Sequence, residues 1–131
     1  MREIKFRAWD RDDDQMITGF GLTPDDLFPY IIPTGDASDD PANYAYYDNV
    51  ELMQYTGLTD TKGVDVYEGD MFQDDEDESV NWVVYDPECA GFRTEGKDGH
   101  NWWEPSELVK AVTEHGYTVI GNIYENKDLL K

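Results

Sequence analysis

Basic residues are scarce in this chain: 10 Lys and Arg stand against 30 Asp and Glu, a formal net charge of −20 over 131 residues. A field of that sign repels nucleic acid and anionic membrane surfaces and attracts basic partners. Direct nucleic-acid or membrane binding is therefore not expected. Cysteine is nearly absent. The lone Cys89 cannot close an internal disulfide, which suits a reducing cytoplasm. No apolar run approaches the ~20 residues of a membrane span, and the opening MREIKFRAWD lacks a signal-peptide core. A soluble intracellular protein is the expectation.

The signatures of catalysis are missing too. Nucleophilic chemistry needs a Ser, Cys or Thr placed by a His and an orienting acid. The two histidines, His100 and His115, both sit beside glycine in turns, and there is no G-x-S-x-G elbow. Cys89 follows Glu88 in an acidic field, without the cationic neighbours that activate a thiolate. Zinc ligation lacks any Cys–His spacing. There is no Walker loop and no G-x-G-x-x-G; Gly19-Phe20-Gly21 is an isolated turn feature. Asp10, Asp12 and Asp14 match the first ligand spacings of a calcium loop. However, Gln15 stands where the loop needs Gly, and Gly21 where it needs a bidentate Glu. No catalytic residue, cofactor or metal site is assigned, and the protein is expected not to be an enzyme.

What the sequence does contain is material for a β core. Hydrophobic residues make up 39% and aromatics 14%, which argues against wholesale disorder despite the charge. The length fits one domain, 1–131, with a single core. From Glu3 to Asp10, Ile4, Phe6 and Ala8 alternate with Lys5, Arg7 and Trp9. The second set pairs with nearby carboxylates on a solvated face; a base-stacking platform would need a basic surface. Asp10–Asp14 is a polar turn before a strand at Met16–Phe20. The variable stretch 21–43 carries Pro24, Pro29, Pro33 and Pro41 and reads as a long irregular loop with one helical turn at Pro24–Phe28. Tyr44, Tyr46 and Tyr47 read as strand core.

The segment Leu52–Asp70, LMQYTGLTDTKGVDVYEGD, is the organising centre. Two apolar runs flank a turn punctuated by Gly57, Asp60 and Gly63, a strand–connection–strand pattern. Met71–Phe72 starts another short run, and the DDEDE run of Asp74–Glu78 follows. Ser79–Tyr85 alternates again, turns at Asp86–Pro87 and returns from Gly91. Glu104–Leu108 is a short helix or helical turn at most. A last strand spans Tyr117–Tyr124, and Asn126–Leu130 forms an Asn-capped terminal turn.

Four stretches in this order carry a family resemblance: REIKFRAWD with Met16-Ile17, the centre LMQYTGLTDTKGVDVYEGD, VVYD…AGF from Val83 to Phe92, and the ending VIGNIYENKDLL. Together they resemble the YopX family, small proteins encoded by phages and prophages of Firmicutes and related bacteria. One departure is Lys127, where such endings commonly carry proline. The resemblance implies a mainly β, barrel-like antiparallel domain with short helical turns. It carries over no functional residues.

Two binding expectations follow. The first is an acidic surface that binds a basic, nucleic-acid-binding host or defence protein, an anti-CRISPR-like phosphate mimic in the host cytoplasm. Duplex phosphates recur every ~1.7 Å of axis, and the residues that would imitate them are Asp10, Asp12, Asp13, Asp14, Asp36, Asp39, Asp40, Asp74, Asp75, Glu76, Asp77 and Glu78. The alternative is a structural, homo-oligomeric module whose acidity serves solubility. There Trp102, Trp103 and Tyr117 would supply the subunit contact, since aromatics are enriched at interface cores. A weaker third reading is a small-molecule pocket lined by the tryptophans.

Overall fold

The computed structural model describes residues 3–18, 20–22, 31–33, 49–75, 78–96 and 104–130, with 20–22 and 31–33 described by their backbone only. The chain divides into two compact units, Lys5–Gln54, and Met1–Ile4 with Tyr55–Lys131. The expected helical turn at Pro24–Phe28 and the expected core tyrosines Tyr44, Tyr46 and Tyr47 lie outside the described residues.

In the Lys5–Gln54 unit, β1 (Phe6–Asp10) pairs antiparallel with β2 (Gln15–Ile17) across the Asp10–Asp14 turn. On its other side β1 pairs with the first half of β5 (Val50–Thr59), Trp9 opposite Glu51 and Ala8 opposite Leu52. β3 (Phe20–Leu22) and β4 (Ile31–Pro33) form a separate antiparallel pair. The expected strand Met16–Phe20 is thus two shorter ones. β1 also departs from simple alternation. Ala8, Trp9 and Asp10 are all buried, while Ile4 is 61% exposed. With both faces covered near its end, the strand loses its period-2 signal, and Trp9 is not on a solvated face.

The larger unit holds the core. The second half of β5 pairs with β6 (Asp65–Tyr67), with a register shift between Tyr55 and Thr59. Gly57 sits in that shift at φ 90°, a backbone state that favours glycine. The Thr56 hydroxyl supports it, donating to the Val66 carbonyl at 2.7 Å and accepting from Leu58 N–H at 3.1 Å. The second sheet runs in the order β10-β7-β8-β9, from β7 (Asp70–Gln73), β8 (Val80–Asp86), β9 (Gly91–Gly96) and β10 (Gly121–Asn122). Strands dominate, helix is minor, and one of the antiparallel sheets curls as a half-barrel.

Helix α1 spans Pro105–Thr113, so the short helix expected at Glu104–Leu108 runs on to Thr113. Pro105 is preorganised for the first turn. Leu108, Ala111 and Val112, at i, i+3 and i+4, are the buried stripe. Leu108 and Val112 pack with Val66, Phe72 and Val83, and Leu58, Phe92, Tyr117 and Val119 close the cluster. On β8 the core face is Asn81 and Val83; Val80, Trp82 and Val84 are half-buried.

The C-terminal stretch is only briefly a strand. Ile120 N–H donates to the Met71 carbonyl and Ile123 N–H to that of Gly69, each at 2.9 Å. Between them the chain is held by Asn122, whose Oδ1 accepts from Tyr124 and Glu125 N–H. A 3-10 turn at Lys127–Leu130 follows, as expected. Asn126 does not cap it with its side chain: Asn126 Oδ1 instead accepts from Asn122 N–H at 3.0 Å.

Candidate partner-binding surface

The candidate acidic residues divide by what their carboxylates touch. Asp10 is a correction: it is 2% exposed, so it belongs to the interior and not to a docking surface. Its Oδ1 accepts from Asp12 N–H at 3.0 Å, an Asx turn that shapes the loop. Asp12, Asp13 and Asp14 are exposed. Asp14 closes the turn at φ 50°, which Asp tolerates better than most residues. Asp12 Oδ1 accepts from Asn49 Nδ2 at 2.9 Å, and Arg11 N–H donates to the Asn49 carbonyl. Arg11 itself pairs with Glu51 at 2.6 Å, with both side chains substantially exposed. Among the described residues, Asp13 and Asp14 take part in no ion pair.

The second acidic loop follows β7. Asp74 N–H donates to the Ser79 carbonyl at 2.8 Å, and Glu78 N–H to the Asp74 carbonyl at 3.1 Å. Glu78, at φ 60°, reverses the chain, and Gln73 Nε2 donates to its carbonyl. Backbone bonds therefore close the loop, with Asp75 and Glu78 exposed and Asp74 half-buried. Glu76 and Asp77, like Asp36, Asp39 and Asp40, lie outside the described residues.

Of the residues expected at an oligomer contact, Trp102 and Trp103 also lie outside the described residues. Tyr117 is half-buried against the core cluster, so its apolar surface is largely committed within its own chain. The tryptophan-lined pocket has the same standing as Trp102 and Trp103.

Two buried carboxylates outside the candidate set hold backbone N–H groups. Asp60 is 5% exposed. Its Oδ1 accepts from Lys62 and Val64 N–H at 2.9 Å each, and its Oδ2 from Val119 N–H at 3.0 Å. Burial pushes this carboxyl up, but the three N–H donors and the nearby Lys62 outweigh it, and the group lies below its ordinary range. Asp70, 1% exposed, accepts from Tyr67 N–H at 2.8 Å. A T-D-T-K-G pattern between two apolar runs could have flagged Asp60, because Asx turns precede such glycines. Its long-range bond to Val119 has no local signal.

At the β8–β9 hairpin, Arg93 Nε donates to Asp86 Oδ2 at 2.8 Å, with Glu95 at 3.8 Å from the guanidinium. Asp86 is held below its ordinary range, first by Arg93 and then by Glu88 N–H. Cys89, in the same turn, is exposed, and its Sγ lies 3.7 Å from the Asp86 carbonyl. Among the described residues, no group of three or more His, Cys, Asp or Glu could hold a metal ion. Nor is any described helix long and apolar enough to cross a membrane.

The sequence matches no curated protein. Its fold is similar to the crystal structure of protein EF1440 from Enterococcus faecalis, over 100% of both chains, with 25% sequence identity and a TM-score of 0.68. The family model described as YopX protein matches residues 5–131. The chain belongs to the YopX family.

Proposed function

We propose that this protein is a phage-type, non-enzymatic accessory protein that binds a basic, nucleic-acid-binding host or defence protein through its exposed carboxylates. The observation that carries the reading is an excess of 30 acidic over 10 basic residues, part of it presented on exposed turns held by local hydrogen bonds. Asp12, Asp13 and Asp14 form one such group, and Asp74, Asp75 and Glu78 another. Turns held in this way keep the backbone that carries Asp13, Asp14, Asp75 and Glu78 in place. Fixed charge on a rigid scaffold steers association and gives specificity more than raw affinity. Such a protein would occupy the groove in which its partner holds duplex phosphate.

The test is capture from host lysate at low and high salt, with the intact protein as bait. The expected result is recovery of a basic nucleic-acid-binding protein that is released by high salt and displaced by duplex DNA. Neutralising Asp12–Asp14 together with Asp74–Glu78, as Asn and Gln, should abolish it. Undiminished capture by that variant at low salt overturns the reading. Recovery of the protein alone, insensitive to salt, favours the oligomeric module instead.

A further inference from the structure

The β8–β9 hairpin is unequally fastened along its length. At the turn end, Tyr85 and Phe92 face each other across the ladder, with ring centroids 5.6 Å apart and planes inclined at 71°. Such an edge-to-face pair stabilises beyond the area it buries. Arg93 Nε donates to Asp86 Oδ2 at 2.8 Å, a charge-assisted bond between half-buried side chains. Pro105, at the start of α1, packs here too: its Cγ lies 3.5 Å from where a Cβ on Gly91 would stand.

The opposite end is built differently. There β9 finishes with Gly96 opposite Asn81. Gly96 brings no side chain to the cross-strand pairing that stabilises a sheet. Asn81 is fully buried, and among the described residues neither its Oδ1 nor its Nδ2 has a hydrogen-bond partner. A buried amide in that state costs free energy in the closed sheet and recovers it once water reaches the group. On its other side Asn81 is held. β8 pairs with β7 at Asn81–Phe72 and Val80–Gln73, and Asp74 N–H, donating to the Ser79 carbonyl, closes that hairpin one step further on. β9, by contrast, is an edge strand of the sheet.

We propose that the Gly96 end of β9 is a conformational device: Glu95 and Gly96 separate from Trp82 and Asn81 while the turn end stays paired. Hydration of the Asn81 amide favours the opening, and the Arg93–Asp86 bond with the Tyr85–Phe92 pair limits how far it runs. The hairpin is then a two-state element inside a unit that remains folded. Its open state presents the Asn81 amide and the adjoining backbone of β8 as a short polar sheet edge.

The experiment is amide hydrogen exchange, followed by NMR on the intact protein over a series of low urea concentrations. The ladder amide at 95–96 should exchange at least tenfold faster than that at 92–93, and with a smaller urea dependence, because a local opening exposes little surface. Asn81→Val should slow exchange at 95–96 about tenfold, since the closed sheet no longer carries an unsatisfied amide. Arg93→Gln removes the staple and should let the opening run to the turn, so that exchange at 92–93 rises toward that at 95–96. Equal exchange and equal urea dependence at the two ends of the wild-type hairpin overturn the proposal, whether or not either variant folds. Unchanged exchange at 95–96 in folded Asn81→Val overturns it as well, because the amide is then satisfied within the closed sheet.

Discussion

Replacing Asp60 by Asn tests the reading that one buried carboxylate ties the central turn to the C-terminal stretch. The side chain keeps its size and loses its charge. The Asn oxygen can still accept from Lys62 and Val64 N–H, but its NH2 now meets Val119 N–H, 3.0 Å from the former Oδ2. Two donors face one another where a charge-assisted bond stood. Bonds to charged groups contribute about 1.5–3 kcal/mol each, and an orphaned buried donor costs about 1–3 kcal/mol. These terms describe one site and overlap, so the expected loss is about 3 kcal/mol, a large share of the stability of a domain this size. Urea unfolding followed by circular dichroism would measure it.

The pH dependence provides a second arm. The Asp60 carboxyl lies below its ordinary value of 3.8 in the folded state. Its contribution is therefore full above the unfolded value and is lost as pH falls through the lower, folded one. The stability difference between wild type and Asp60→Asn should stay level down to about pH 4 and shrink below it. A loss under about 1 kcal/mol at neutral pH, or a difference that grows on acidification, refutes the pin.

Three further perturbations are sharp. A Cβ on Gly121 would stand 2.5 Å from Asn126 Oδ1, so Gly121→Ala should displace the side chain that accepts from Asn122 N–H and cost about 2 kcal/mol. In the Gly121→Ala/Asn126→Ala double variant, unfolding measurements should show less than the sum of the two single losses. Asn81 is fully buried with neither amide atom hydrogen-bonded. Asn81→Val should therefore raise stability by about 1 kcal/mol, and a lower denaturation midpoint would refute that. Asp12→Asn with Asp13→Asn and Asp14→Asn should raise Tm at low salt and leave it nearly unchanged at high salt, because self-repulsion is screened within ~8 Å at physiological ionic strength.

Local pattern made the middle of the chain legible and left other parts hidden. The strand–turn–strand at 50–67 followed from two apolar runs around Gly57, Asp60 and Gly63, since both glycines take left-handed φ, 90° and 82°. The β8–β9 hairpin followed from alternation and the Asp86–Pro87 turn. α1 was cut short because Lys110 and Thr113 dilute a stripe that only Leu108, Ala111 and Val112 define. The C-terminal strand was overdrawn. Apolar residues at 119–123 look like a ladder, yet side-chain bonds from Asn122 and Asn126 replace much of it. Asp74 and Asp75 were visible as charge, but nothing in spacing brings them beside His115 and Tyr117. That neighbourhood is made by the packing of α1 on the core.

The same limit explains why acidity alone overstates the docking surface. Asp10 and Asp12 are indistinguishable in the run DRDDD, yet one turns inward to hold a backbone N–H and the other outward to solvent. Asp60 and Asp70 are likewise spent on backbone donors. Carboxylates in this chain therefore serve two opposed ends. The buried ones satisfy backbone N–H groups, and at Asp60 the charge stabilises the fold. The exposed ones repel each other and weaken it. A chain selected for stability alone would retain the first group and thin the second. Retention of exposed charge on loops that their own hydrogen bonds hold in shape is what an electrostatic binding surface requires. Simple solubility requires no such fixed geometry.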